Sequence, residues 1–426
     1  MTDIARNSLI NDILGLVSIP SVNGDEKGIQ ECFRYIKTIA DRFGFESKIC
    51  ANGKVLEVYP HNMPIIPKIG IIVHVDTVPI TESDWIHNPL GEIADNRIWG
   101  RGVIDDKGAV IIALHAMKEL ENQIKPDWKI IIGSCEEGSW YDMRDYLAEG
   151  NTIPGFIFTI DGDGIQNGCR GTLDVEMVFE AATSRATIKE FKTPNGVINI
   201  IPDLVELQIG HSFKTVRGKA AHSSEPKNGI NAIVSAFEEH KTLFQEEYPG
   251  FAKFMDHYSW MDNALYIGKG SRTIINQEDP GTIATPTMVS MNNDKILLRV
   301  NTRLSPAINT RREVLTALVK ARKEYECKIS IKELIMPSYI SRDNAELILM
   351  KKAYQEVIGF MPEVSIALGT GYNAAFPNAA IFGPRFEEVD EMDEDLCHCP
   401  NESRRIEDLE KFYEILKNYL KMSLAK

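Results

Sequence analysis

The chain has 426 residues, of which 43% are hydrophobic and 25% charged, with a formal net charge of −14 at pH 7. That length predicts more than one domain, and the composition is that of a soluble globular protein. The acidic balance argues against a nucleic-acid-binding face and against docking on an anionic membrane.

Residues 5–18 predict a helix with Leu9, Ile10, Ile13, Leu14 and Val17 on one face. Pro20 breaks it, and Asn23, Gly24 and Asp25 form a turn into a second amphipathic helix carrying Ile29, Cys32, Phe33, Ile36 and Phe43, closed by Gly44. Short strands are expected over Phe45–Cys50 and Lys54–Val58. Lys68–Val75 is a continuous Ile/Val run, the pattern of a strand buried on both faces in a parallel sheet. The helix Lys107–Leu120 turns Val110, Ile111, Leu114, Met117 and Leu120 inward, and Trp128–Ser134 and Gly155–Ile160 are two further buried strands. Strand, helix, strand, helix, strand is the order of a doubly wound α/β sheet.

From about Leu173 the texture changes. DVEMVFEA, VELQIGHSFKTV and KILLRVNTRL alternate, as antiparallel strands with one wet face do, and two helices, Ile230–Phe244 and Arg311–Tyr325, interrupt them. Near Ala345 helix resumes, followed by strands around Glu363–Leu368 and Asn378–Phe382 and a closing helix over Arg405–Leu420. The expected fold is therefore α/β: a mostly parallel sheet flanked by helices forms a catalytic domain from residues 1–172 and 341–426, with an inserted α+β lid domain over 173–340. The run of acids at 387–396 reads as a solvated loop.

The seven cysteines, 32, 50, 135, 169, 327, 397 and 399, are odd in number and scattered, which does not resemble a disulfide framework. The N-terminal stretch lacks a basic start followed by an apolar core, and no apolar run reaches the length of a membrane span. A cytoplasmic location is the default expectation.

The chemistry-bearing residues share one property. His74, Glu136, Glu137 and Asp161 each fall at the C-terminal end of a predicted strand, where open α/β sheets place their sites. His74 and Asp76 are two apart on an extended segment, so their side chains share a face and a carboxylate can steady an imidazole that binds metal through its other nitrogen. Asp105 follows Gly100-Arg101-Gly102 and opens a helix. An aspartate is favoured there as a helix cap in any case, and a nucleotide-binding loop lacks its third glycine, with acid in its place. Of the Glu136-Glu137 pair, one carboxylate can bind metal while the other acts as general base on a metal-bound water. Asp161 and Asp163 flank Gly162 and offer another oxygen ligand, and His398 supplies a late imidazole. Cys397 and Cys399 invite a zinc-thiolate reading, but C-x-C alone lacks the paired Cys/His spacing of structural zinc sites. Two histidines and several carboxylates at one sheet edge suit a dinuclear hydrolase, its ions about 3.5–4 Å apart; the N/O donor mix suits Zn first, with Mn or Co as alternatives.

These residues, in this order, resemble a known family: the cocatalytic zinc metallopeptidases and deacylases, which include aminoacylase, succinyl-diaminopimelate desuccinylase, acetylornithine deacetylase, carnosinase-like peptidases and peptidase V-type dipeptidases. The resemblance spans nearly the whole chain. It is carried by HVDTVP, GRGVIDDKG, CEEGSW, GKAAHSSEPKNGINAI and HCPNE. It implies that His74 and Asp161 hold one ion, Glu137 and His398 the other, and Asp105 bridges them. It makes Glu136 the general base, Asp76 the partner of His74, and His222 a lid residue that polarises the scissile carbonyl. GVINIIPD and NTRLSP resemble the bacterial dipeptidases in particular, placing Asn199 near the substrate and Arg303 on its carboxylate. LGTGYNAAFPN resembles their substrate loop only loosely, with Gly371 where Thr is usual and Ala374 where Arg is usual. The implied activity is hydrolysis of the amide bond of dipeptides or similar small peptides by a dinuclear metal-bound hydroxide, with N-acyl-amino-acid deacylation or desuccinylation as the alternative. The implied partner is a small peptide or acyl-amino acid, and the protein is expected as a monomer or homodimer.

Overall fold

A continuous apolar run can be satisfied only where both faces of a strand are covered, and the segment IGIIVH meets that condition. In the computed structural model the strand Ile69–His74 is buried along its whole length. It lies between two parallel neighbours, Trp128–Gly133 and Phe156–Thr159, with Ile71 opposite Ile130 on one side and Phe158 on the other. Each of these side chains is fully buried, contributing roughly 1.5–3 kcal/mol by transfer from water. The structure describes residues 3–162, 164–184, 186–258, 264–268, 281–383 and 396–426.

Among the described residues the chain forms two units: residues 1–168, 338–367 and 371–426 make the first, and residues 169–337 with 368–370 the second. The first unit is built on a nine-stranded sheet. Its central strands, Trp128–Gly133, Ile69–His74, Phe156–Thr159 and Ala379–Phe382, run parallel. Antiparallel strands extend it at both sides: Val55–Tyr59 and Glu46–Cys50 beyond Trp128–Gly133, and Ile165–Cys169 beyond Ala379–Phe382. The fold is thus mixed α/β with a mostly parallel core, and the antiparallel margins depart from a purely doubly wound sheet. The helices Asp3–Val17, Glu26–Phe43, Lys107–Leu120, Ala345–Ile358 and Ile406–Ser423 complete its apolar core. Glu26–Phe43 ends as its sequence predicts: Gly44 takes a left-handed φ of 77° and returns its N–H to the last turn.

The second unit contains a four-stranded antiparallel sheet in the order Ile283–Asn292, Lys295–Leu304, Gly171–Glu180, Lys328–Ile335. A three-stranded sheet, Ile188–Lys192, Leu204–Ile209 and Ser212–Arg217, and a short ribbon pairing Ile200–Ile201 with Ala221–His222 complete its strands. The helix expected over Ile230–Phe244 is instead two, Ala232–Glu239 and Lys241–Glu247, broken at His240, and a third, Pro249–His257, follows. The break lets Phe237, Phe244 and Phe251 turn onto one another, with ring centroids 5.2–6.0 Å apart. No described helix is long and apolar enough to cross a membrane. Asp163 and residues 387–395 of the acidic run lie outside the described residues.

Candidate active site

His74 is the last residue of its strand, Glu136 and Glu137 follow Trp128–Gly133, and Asp161 follows Phe156–Thr159. Three adjacent parallel strands therefore deliver their donors to one carboxyl edge. Asp105 arrives on the loop before Lys107–Leu120. Gly102 in that loop has φ +92°, and a Cβ at Gly108 would stand 2.3 Å from the carbonyl oxygen of Val103, so both positions exclude a side chain. The buried Lys107 ammonium donates to the carbonyl of Ile19 at 2.5 Å and anchors the loop from behind. Asp106, not Asp105, occupies the helix cap position, and it makes no capping bond; its Oδ2 instead accepts the backbone N–H of His74 at 3.2 Å.

The donors converge on Asp105. Its Oδ1 stands 2.8 Å from His74 Nε2. Its Oδ2 stands 2.9 Å from His398 Nε2, which is also 2.9 Å from Glu137 Oε1. Asp161 Oδ2 lies 3.9 Å from His74 Nε2. Donor atoms of His74, Glu136 and Asp161 fall within 4.8 Å of one another, as do those of Asp105, Cys397 and His398. His398 adopts a left-handed φ of 63°, an uncommon conformation for a non-glycine residue and one that recurs at functional sites.

Asp76 is completely buried and works in two directions. His74 Nδ1 lies 3.0 Å from its backbone carbonyl and 3.4 Å from its carboxylate. The carboxylate itself accepts the backbone N–H groups of Glu136 at 3.1 Å and Glu137 at 3.0 Å, and the amide of Asn23 at 2.8 Å. Asp76 thus fixes the turn that presents the glutamate pair as well as facing the imidazole. Gly371 sits beside the same pair: a Cβ there would lie 3.9 Å from Glu136 Oε1.

The electrostatics are those of a crowded acidic cluster. Burial, then Asp161, holds Glu136 well above the usual carboxylate range. Burial, then Asp105, pushes Asp161 up to about 7. Burial also raises Glu137 despite its bond to His398, and raises Asp106 strongly. Asp105 goes the other way: burial opposes its ionisation, but His398 and His74 outweigh it and hold the carboxyl low. Hydrogen bonds to Asp105 and Glu137 raise His398 to about 11, and at His74 the Asp105 and Asp76 carboxylates overcome the effect of burial.

The donor set fits divalent cations. His74 Nε2 and Asp105 Oδ1 are buried and face each other at 2.8 Å, yet neither makes a hydrogen bond among the described residues. The two meet as an ion pair out of hydrogen-bond alignment, and an imidazole nitrogen beside a carboxylate oxygen is a donor set that a shared divalent cation also satisfies. Carboxyl groups also outnumber imidazoles, and a cation offsets the repulsion that raises their pKa values.

Several contributors have no signal in the local sequence. Glu402 is 1% exposed and pairs with Arg101 at 2.7 Å. Its Oε1 accepts the backbone N–H groups of Gly102, Ile104 and Asp105 at 3.0, 2.9 and 3.3 Å. It therefore clamps the loop that carries Asp105; its place in HCPNE was visible, its target was not. Tyr372 is buried, accepts the N–H of Cys135 at 3.1 Å, and sets its ring edgewise to His74 with centroids 6.1 Å apart. Cys397 Sγ donates to Asp105 Oδ2 at 3.2 Å, whereas Cys399 is exposed.

Asn199, His222 and Arg303 belong to the second unit, and the structure brings them together there. Arg303 Nη2 lies 3.4 Å from His222 Nε2, and Arg303 Nη1 donates to Thr172 Oγ1 at 3.1 Å. The carbonyl of Asn199 accepts the N–H of Ser223 at 2.8 Å, beside the pairing of Ile200 with His222. Burial, then the Arg303 guanidinium, lowers His222 to about 4, so its imidazole is neutral near pH 7. Thr370 bonds Thr172 Oγ1 at 2.8 Å and so joins the Arg303 neighbourhood, a contact the sequence does not announce.

A model of peptidase family M20/M25/M40 matches residues 70–422, and the chain belongs to this metallopeptidase family. A Staphylococcus haemolyticus (strain JCSC1435) protein named "Putative dipeptidase SH1171" is 25% identical over 452 residues, covering 93% of each chain. A Methanocaldococcus jannaschii protein named "Uncharacterized metallohydrolase MJ0457" is 28% identical over 458 residues, covering 96% of this chain and 98% of its own. Among solved structures, an M20 family metallo-carboxypeptidase from Sulfolobus solfataricus shares the fold with a TM-score of 0.64 at 17% identity, over 99% of both chains.

Proposed function

We propose that this peptidase hydrolyses the amide bond of dipeptides or similar small peptides at a pair of divalent metal ions. His74 and Asp161 would hold one ion, Glu137 and His398 the other, and Asp105 would serve both. The observation that carries the reading is the Asp105 carboxylate, which turns one oxygen to His74 at 2.8 Å and the other to His398 at 2.9 Å. The imidazole and carboxylate donors suit zinc first, with manganese or cobalt as alternatives. When bound, the ions supply Lewis acidity toward water and toward the scissile carbonyl.

The protein's own groups do the rest. Glu136 takes the proton from the attacking water and returns it to the leaving amine. Burial, the first cause of its raised proton affinity, suits it to hold that proton between the two transfers. Asp76 positions Glu136 and Glu137 through their backbone N–H groups and orients His74. Gly371 leaves room beside Glu136 for the substrate. In the second unit, Arg303 supplies a guanidinium fork suited to a free carboxylate, neutral His222 a group that polarises the carbonyl, and Asn199 a further polar contact. One similar protein is named a putative dipeptidase, and a dipeptide carries the free carboxylate that the Arg303 fork suits.

Elemental analysis of the protein tests this centre. Two equivalents of divalent metal per chain, both falling in Asp105→Ala, support it; a single equivalent that survives Asp105→Ala overturns the shared-carboxylate arrangement.

A further inference from the structure

Cys397 stands in the donor cluster and has no part in the mechanism above. Its Sγ is 3.2 Å from Asp105 Oδ2, the oxygen that His398 Nε2 approaches at 2.9 Å. Two ligands on one tetrahedral ion, at about 2.0–2.3 Å each, stand roughly 3.3–3.6 Å apart. The observed separations are shorter than that by a few tenths of an ångström, a gap that small side-chain movements close. With His398 at φ +63°, two consecutive side chains converge on one oxygen. Independent of the cysteine, the cluster holds buried polar atoms that make no hydrogen bond among the described residues: Asp105 Oδ1, on a side chain 7% exposed, and His74 Nε2, on one 0% exposed, face each other at 2.8 Å as an ion pair only.

We propose that Cys397 is itself a metal ligand, so that the ion held by His398 and Asp105 sits in a mixed thiolate, imidazole and carboxylate site. This rests on the metal-centre reading above and deepens it. As the metal–sulfur bond forms, the Sγ–H proton leaves to solvent, and Asp105 Oδ2 is freed from that hydrogen bond to face the ion. A sulfur donor shifts the preference of that position toward thiophilic ions such as zinc and away from manganese, for which oxygen donors are preferred. Cys399, two residues on and exposed, falls outside the cluster and serves as the internal control.

Cobalt(II) substitution tests the assignment with a spectroscopic readout. The metal-stripped protein reloaded with cobalt is expected to show visible ligand-field bands together with a near-ultraviolet thiolate-to-cobalt charge-transfer band. Cys397→Ser is expected to keep the visible bands and lose the charge-transfer band, and Cys399→Ser to keep both. Visible bands without charge transfer in the wild type, or charge transfer that persists in Cys397→Ser, overturn the thiolate ligand and leave the proposed function standing. Absence of any cobalt spectrum overturns the metal centre itself and the ligand with it. X-ray absorption of the zinc-loaded wild type decides the point without a variant: a sulfur shell at about 2.3 Å supports the proposal, and a shell of nitrogen and oxygen alone overturns it.

Discussion

Asp105 turns Oδ1 to His74 Nε2 across 2.8 Å without a hydrogen bond between them. The two face each other as a buried ion pair in which, against the effect of burial, each favours the other's charged form, Asp105 held low and His74 held high. The same carboxylate meets His398 through Oδ2, so one side chain links donors that lie 31 and 293 residues away in sequence.

Glu136→Gln keeps the shape of the side chain and removes its capacity to accept a proton. The expected result is a fall in kcat of about 10²–10⁴-fold with metal content unchanged. Steady-state kinetics alongside elemental analysis check it. A variant that loses metal in proportion to activity would make Glu136 a ligand instead of a base.

Arg303→Lys replaces a planar fork with a point charge. A charge-assisted hydrogen bond contributes about 1.5–3 kcal/mol, so kcat/KM for free dipeptides should fall roughly 10–100-fold. C-terminally amidated dipeptides lack the carboxylate, and the variant should treat them much as the wild type does. Equal losses on both substrates would remove Arg303 from carboxylate recognition.

The titration of His222 carries a pH signature. Its pKa falls from 6.5 to about 4, through burial and then Arg303. Below pH 6.5 the unfolded chain takes up a proton that the folded protein refuses until about pH 4, so this group costs stability as pH falls through that window and is neutral to stability above it. Wild-type protein should therefore lose more Tm between pH 6.5 and 4 than His222→Gln does. Proton NMR of the imidazole should place its midpoint near 4 and show it rising in Arg303→Gln.

Glu402 offers a stability test of the loop that carries Asp105. Glu402→Ala removes the carboxylate partner of Arg101, leaving that guanidinium the His398 carbonyl at 3.4 Å, and releases three backbone N–H groups of the Asp105 loop. Breaking a buried pair of this kind costs about 3–5 kcal/mol. Glu402→Gln keeps acceptors for the loop and should lose less. Denaturant unfolding of both variants checks the order.

Much of the first unit was legible in the sequence because its central strands are buried on both faces. IGIIVH and WKIIIG can hardly be anything else, and the helix Lys107–Leu120 appears with the limits its pattern indicates. Residues placed at strand ends by that pattern, His74, Glu136, Glu137 and Asp161, are found together at one edge. What escaped depends on contacts that local pattern does not encode. Glu402 reaches back 300 residues to Gly102, and Asn23 reaches 53 residues to Asp76. Cys397 carried a signal as half of a C-x-C, but its approach to Asp105 Oδ2 is a contact across 292 residues. The break at His240 escaped because apolar spacing continues across it; packing among Phe237, Phe244 and Phe251, not periodicity, decides where the helix stops.

The most direct measurement is turnover by metal-stripped protein before and after reloading with zinc, manganese or cobalt, using free dipeptides against N-acetyl and N-succinyl amino acids. Cleavage of free dipeptides that appears only on reloading, and not in Glu136→Gln, is the result expected here. Cleavage confined to the acylated substrates, or dipeptide cleavage indifferent to metal, would contradict it.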